Sequence, residues 1–201
     1  MLDARLRPLI DPPLNAAGRA LAGVGVTANA LTFAGLALGL AGAAAIAFDH
    51  LGWGLALICA NRLLDGLDGA VARARGPSDL GGYFDIVADF AFYVSVPLAF
   101  GLRAPGDTLP ALVLVASFVL TGVSFLAFAV IAAKRGATTE AHGRKSFFYS
   151  TGLAEGTETI AVFIAMCLAP AWFGAIAYGY AGLCVVTVVQ RSAMAAAIFR
   201  D

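Results

Sequence analysis

Asp65-Gly66-Leu67-Asp68-Gly69-Ala70-Val71-Ala72-Arg73, then seven residues, then Gly81-Gly82-Tyr83-Phe84-Asp85-Ile86-Val87-Ala88-Asp89: five of the chain's ten aspartates fall in this window of 25 residues. On both sides the sequence is nearly all apolar. Carboxylates in such surroundings are costly and are kept where they act. Asp65, Asp68, Gly69, Ala72 and Arg73 recur at i, i+3, i+4, i+7 and i+8, and Gly81, Asp85 and Asp89 at i, i+4 and i+8. Both spacings are helical, so each set forms a stripe down one helix face.

The surroundings decide what kind of helix this is. The 201 residues are 60% hydrophobic and 13% charged, with mean hydropathy +0.85. A soluble domain of this length has too little interior to hide that much apolar surface. The chain reads as an all-α integral membrane protein. Six apolar runs long enough to span a bilayer lie near residues 28–48, 51–73, 81–102, 110–133, 147–168 and 171–198. They are rich in Gly and Ala, which favour close helix approach in lipid. Residues 1–26 carry Arg5, Arg7 and Arg19 and lack the compact apolar core of a cleaved signal peptide. They read as an amphipathic juxtamembrane helix, broken or started at Pro12 and Pro13. No repeat or soluble segment interrupts the chain. Residues 1–201 are expected to form one domain: an interfacial helix over 1–26 and a six-helix bundle over 27–201. Cys59, Cys167 and Cys184 lie in apolar segments without CxxC spacing and read as packing residues. Trp53, Trp172 and Tyr178 read as interfacial anchors or packing.

Charge sets the orientation. Arg5, Arg7, Arg19, Arg73, Arg75, Lys134, Arg135, Arg144, Lys145 and Arg200 fall on one set of connections, and Arg103 alone on the other. By the positive-inside rule both termini and the 74–80 connection face the cytoplasm of a cell's inner or plasma membrane. The aspartate window then sits at the cytoplasmic ends of the second and third spans.

A short connection makes those spans antiparallel neighbours, with their stripes facing. Four converging carboxylates repel one another, and divalent cations relieve the repulsion. All-oxygen ligation suits Mg²⁺ or Mn²⁺, two ions for four carboxylates, and neither His50 nor His142 is near enough in sequence to suggest zinc. Gly69, Ala72 and Gly81 leave room for a bulky group, and Arg73 is a permanent donor to phosphate. Metal ions, an arginine and open space suggest a pyrophosphate substrate whose leaving group the ions stabilise. The rival is a cation- or proton-coupled transporter, since acids within spans also mark ion paths. Against it stand the adjacent arginine and the lack of paired broken spans.

The order D-x-x-D-G-x-x-A-R followed by G-x-x-x-D-x-x-x-D resembles the signature of the CDP-alcohol phosphatidyltransferases, and all eight specified positions are present. The connection is one residue shorter than that family's usual spacing. The resemblance covers the whole chain and implies a reaction. A small acceptor alcohol attacks the β-phosphorus of a CDP-lipid such as CDP-diacylglycerol, and CMP leaves. It implies Asp65, Asp68, Asp85 and Asp89 as metal ligands and Asp89 as general base. Gly69, Ala72, Arg73, Ser78 and Gly81 fall to the nucleotide diphosphate. Thr27-Ala28-Asn29-Ala30-Leu31-Thr32 is similar to the family's T-P-N-x-x-T, with Ala28 for proline, which adds Asn29 and Thr32. It also implies a homodimer among membrane lipids; no nucleic acid partner is expected.

The acceptor side is less defined. Glu155, Thr157, Glu158 and Thr159, with Arg62, Arg191, Arg144 and Lys145, either line an acceptor pocket or hold the bundle together by intramembrane pairing. Relatives that use inositol phosphate set arginines after the glutamates, where this chain has Gly156 and Thr159. That argues against a phosphorylated inositol. The run from Phe90 to Pro97 resembles phosphatidylserine synthases.

Overall fold

The computed structural model describes residues 2–135 and 153–199, with side chains from Pro8 onward. Described residues build seven α-helices: α1 Leu2–Gly23, α2 Ala28–Ala47, α3 Leu51–Arg75, α4 Asp79–Arg103, α5 Thr108–Lys134, α6 Gly156–Leu168 and α7 Phe173–Ile198. Single 3-10 turns, Pro105–Asp107 and Pro170–Trp172, lead into α5 and α7. Four segments are long and apolar enough to cross a membrane: Ala28–Ala47, Asp79–Arg103, Pro105–Lys134 and Pro170–Ile198. Helix α3 has the length, at 25 residues, but carries Arg62, Asp65, Asp68, Arg73 and Arg75. The described part of the fifth predicted run, α6, has 13 residues. Its predicted start at residue 147, with Arg144 and Lys145, lies outside the described residues.

The ends of the helices follow local chemistry. Thr27 caps α2, its hydroxyl accepting from the Ala30 amide at 3.2 Å, and Ser78 caps α4, accepting from the Gly81 amide at 3.1 Å. Between α3 and α4, Gly76 takes φ +96°, a conformation that other residues resist. Gly76 and Pro77 thus reverse the chain within three residues.

Helix α1 departs from expectation, because it runs unbroken through Pro8, Pro12 and Pro13. Pro12 and Pro13 cannot donate to the carbonyls of Pro8 and Leu9, but both of those residues are exposed, so water can serve instead. Packing also holds the helix in place. A Cβ at Gly18 would stand 2.5 Å from the Cβ of Ala70, and one at Gly66 would stand 2.9 Å from Leu14. α1 therefore lies directly on α3.

Small residues set the inner half of the bundle. Gly35, Gly39 and Gly42 form a stripe on α2, and a Cβ at Gly39 would meet the Phe92 ring at 2.6 Å. Through this stripe α2 packs against both α3 and α4, which touch each other little. The two aspartate helices meet each other mainly through side chains, with Arg62 of α3 reaching Asp89 of α4 at 3.0 Å, while α2 packs along both. The other half has an aromatic core. Phe92, Phe100, Phe163 and Phe173 are fully buried, and Phe100 stacks on Phe173 with centroids 4.6 Å apart. Lipid is as apolar as these rings, so the gain is van der Waals contact rather than escape from water.

The two ends of the bundle differ in charge. Arg75 donates to the Ala22 carbonyl at 3.2 Å and Arg135 to the Phe199 carbonyl at 2.9 Å, both at the end that carries the aspartates. At the opposite end Arg103 is neutralised by Asp49, with Nε to Oδ1 at 2.8 Å. Trp53 and Trp172, 71% and 68% exposed, stand at that end too, where an indole ring suits a membrane interface. Cys167 and Cys184 are buried as expected of packing residues, whereas Cys59 is exposed on α3.

Candidate active site

Helices α3 and α4 bring three carboxylates together. One oxygen each from Asp65, Asp68 and Asp85 lies within 4.8 Å of the other two. Asp68 is buried, and its Oδ2 accepts a hydrogen bond from the Thr32 hydroxyl at 2.7 Å. Thr32 thus reaches the site as expected, but its contact is with a carboxylate.

Asp89 is held differently. Its Oδ1 accepts from Arg62 Nη1 at 3.0 Å, and the same nitrogen stands 3.5 Å from Asp65 Oδ2. Arg62 Nε donates to Asn61 Oδ1 at 2.7 Å, and Asn61 Nδ2 donates to the Gly35 carbonyl at 2.8 Å. The guanidinium also lies over the Phe92 ring, 4.6 Å from its centroid. Arg62 pairs with Asp89 and Asp65 in place of the glutamates, and it also lines the cavity beside them, so it holds the bundle and stands on the pocket at once.

The remaining motif residues surround this core. Arg73 donates through Nε and Nη2 to Asn15 Oδ1 of α1, at 3.0 and 2.9 Å. A Cβ on Gly69 would stand 3.2 Å from Arg73 Nη1, so glycine keeps room for the guanidinium. Asn29, Ser78 and Gly81 also converge: a Cβ at Gly81 would lie 3.0 Å from Ser78 Oγ and 3.3 Å from Asn29 Oδ1. Ala72 is half-buried on α3. Two residues escaped the sequence reading. Asn15 carried no signal, because nothing local links the interfacial helix to α3. Asn61 did carry one, as an amide inside an apolar run and next to an arginine.

A cavity of about 710 Å³ opens on this cluster, with Asp65, Asp68, Asp85, Asp89 and Arg73 on one wall. Its far wall carries Thr121, Phe125, Glu155, Thr157, Thr159 and Arg191. Arg191, buried on α7, donates to the Thr121 carbonyl at 3.0 Å and to Ser124 Oγ at 2.6 Å. Thr159 and Tyr180 share a hydrogen bond of 2.8 Å. Glu158 lies on α6 but not on the cavity wall.

The donor set fits a hard divalent cation. Mg²⁺ binds oxygen at about 2.0–2.1 Å, so oxygens sharing one ion lie up to about 4.2 Å apart. Neighbouring oxygens on one octahedral ion stand about 2.9 Å apart, so the three carboxylates, within 4.8 Å of one another, would draw together around it. No histidine or cysteine belongs to the group.

Apolar helices, an acidic cleft at one bundle end and a neighbouring arginine define a membrane protein with a charged site. Known proteins make the class specific. The sequence profile of the CDP-alcohol phosphatidyltransferase family matches residues 25–198. The inner membrane protein YnjF of Escherichia coli K12 is 47% identical over 195 residues, covering 95% of this chain and 93% of that protein. Archaetidylinositol phosphate synthase of Pyrococcus horikoshii is 33% identical over 87 residues, 43% of this chain and 46% of that one. Among solved structures, phosphatidylinositol phosphate synthase PgsA1 of Mycobacterium tuberculosis with CDP-DAG bound superposes with a TM-score of 0.69 at 22% identity, covering 89% of this chain and 90% of its own. PgsA1 in complex with manganese and citrate gives 0.66 at 23% identity, covering 89% and 86%. These structures share the fold. The chain belongs to the CDP-alcohol phosphatidyltransferase family and is a membrane-bound transferase of phospholipid synthesis. Nothing in the fold or among the relatives favours the transporter alternative.

Proposed function

We propose that this protein transfers the phosphatidyl group of a CDP-linked lipid, CDP-diacylglycerol or a close analogue, to a small alcohol and releases CMP. The observation that carries the reading is the meeting of Asp65, Asp68 and Asp85 beside Asp89 and Arg73 on one cavity. Residues 1–201 act as one membrane domain with six crossings, α3 and α6 completing the four apolar spans. The protein works as a homodimer, with its termini and site facing the cytoplasm; the arginines gathered at the aspartate end support that orientation.

A Mg²⁺ or Mn²⁺ ion bound by Asp65, Asp68 and Asp85 supplies positive charge for the diphosphate oxygens. Arg73, steadied by Asn15, binds a phosphate oxygen of the donor. Asn29, Thr32, Gly69, Ala72, Ser78 and Gly81 shape the nucleotide end. Asp89 takes the acceptor proton on Oδ2, because Oδ1 is engaged by Arg62. The acceptor oxygen forms its bond to the β-phosphorus as the bond from that phosphorus to the CMP oxygen breaks.

The test uses purified protein in detergent with CDP-diacylglycerol, Mg²⁺ or Mn²⁺, and a panel containing serine, glycerol phosphate and inositol phosphate. We expect one acceptor to support metal-dependent CMP release, and that acceptor names the product. Absence of release with every acceptor, together with cation flux in liposomes, would overturn the proposal.

A further inference from the structure

We propose that Arg62 takes the place of a second metal ion, so that this chain binds one divalent cation where its four aspartates suggest two. The idea rests on the reading of Asp65, Asp68 and Asp85 as ion ligands. Those three carboxylates converge, while Asp89 gives its Oδ1 to Arg62 at 3.0 Å. The same guanidinium nitrogen reaches Asp65 Oδ2 at 3.5 Å. It therefore bridges Asp89, the carboxylate outside the converging three, to Asp65, one of the three.

Arg62 is not a surface side chain that swings aside easily. Its side chain is only 16% exposed. Asn61 fixes Nε from one side and is itself tied to the Gly35 carbonyl. Phe92 and Tyr93 face the guanidinium, with ring centroids 4.6 and 5.6 Å from its carbon. A Cβ at Gly39 would press on both Phe92 and Asn61, at 2.6 and 3.1 Å, so a glycine keeps this seat open. The packing of α2, α3 and α4 therefore builds a fixed cation into the cluster. A guanidinium stays charged at any working pH and offers several donors in one plane. A divalent ion placed between Asp65 and Asp89 would stand directly against this fixed positive charge. Arg62 is thus a positioning residue: it holds Asp89 out of the metal site and turned toward the acceptor side of the cavity, where Tyr93 also lies.

The experiment counts ions on the full-length protein in detergent by calorimetric or EPR titration with Mn²⁺ alone, so it does not depend on turnover. Wild type is expected to bind one ion. Arg62→Gln is expected to bind two, and Arg62→Lys, which keeps the charge, to return to one. Asp89→Asn is expected to keep the single ion, and this variant still decides the matter should Arg62→Gln fail to fold. Two ions on wild type, one ion on a folded Arg62→Gln, or an ion lost from Asp89→Asn would each overturn the proposal. Asp68→Asn separates it from the reading beneath. If that variant binds Mn²⁺ as wild type does, the metal site itself is wrong. If it loses the ion while Arg62→Gln leaves the count unchanged, only the role of Arg62 fails.

Discussion

The two walls of the cavity are both polar inside an apolar bundle, yet they manage that polarity in different ways. On α5 and α7 most polar groups close on one another. Ser117 bonds the Leu114 carbonyl at 2.7 Å, Thr121 that of Ser117 at 2.8 Å and Ser124 that of Thr121 at 2.8 Å. Such hydroxyls satisfy themselves against their own helix and so cost little in lipid. Arg191 then docks on the Thr121 carbonyl and on Ser124. On α3 and α4 the carboxylates reach to other helices: Asp89 of α4 is held by Arg62 of α3, and Asp68 by the Thr32 hydroxyl of α2. Each must find a cation, a hydroxyl from another helix or a ligand, which is why that wall is organised from α1 and α2 as well. The difference teaches where chemistry can reside: groups that cannot be satisfied within their own helix.

This contrast can be broken by experiment, beginning with the largest effect. Chelation with EDTA should abolish CMP release; Mg²⁺ or Mn²⁺ should restore it in wild type but not in Asp68→Asn, as a release assay would show. Asp89→Asn should lower kcat by about 10²–10⁴-fold, the range for losing a general base, while donor binding persists. Near-normal turnover in that variant would remove Asp89 from the mechanism. Asn15→Ala should act more mildly, because the Arg73 guanidinium is retained and only its orientation loosens. A hydrogen bond to a charged group contributes about 1.5–3 kcal/mol, and exposure at this site places the loss at the low end, about tenfold in donor KM with little change in kcat. The smallest effect belongs to the far wall. Tyr180→Phe removes the bond to Thr159 and should cost about 1 kcal/mol in thermal unfolding, leaving donor KM unchanged. A large rise in donor KM there would mean that the two walls are not separate in function.

Much of the aspartate wall was legible because its pattern is local. Two stripes at helical spacing placed Asp65, Asp68, Gly69 and Arg73 on one face and Gly81, Asp85 and Asp89 on another, and the structure keeps all of these but Gly81 on the cavity. Ser78 was legible only in part: its position points to the nucleotide, but its described bond caps α4. Arg62 was seen and its partner missed, since the glutamates of α6 are as plausible on paper as the aspartate 27 positions later. Asn15 was out of reach altogether. Its partner lies 58 positions away, and only the close approach of Gly18 to Ala70 brings α1 over Arg73.

By itself the sequence determined the helical membrane class, the motif faces and the family, because apolar length and helical spacing are properties of short segments. The tertiary structure alone decided that α2 packs against both α3 and α4, that Asp89 is held by Arg62, and that α1 steadies Arg73. Each of these depends on how closely helices approach, which small residues such as Gly18 and Gly39 permit but only the packed bundle reveals.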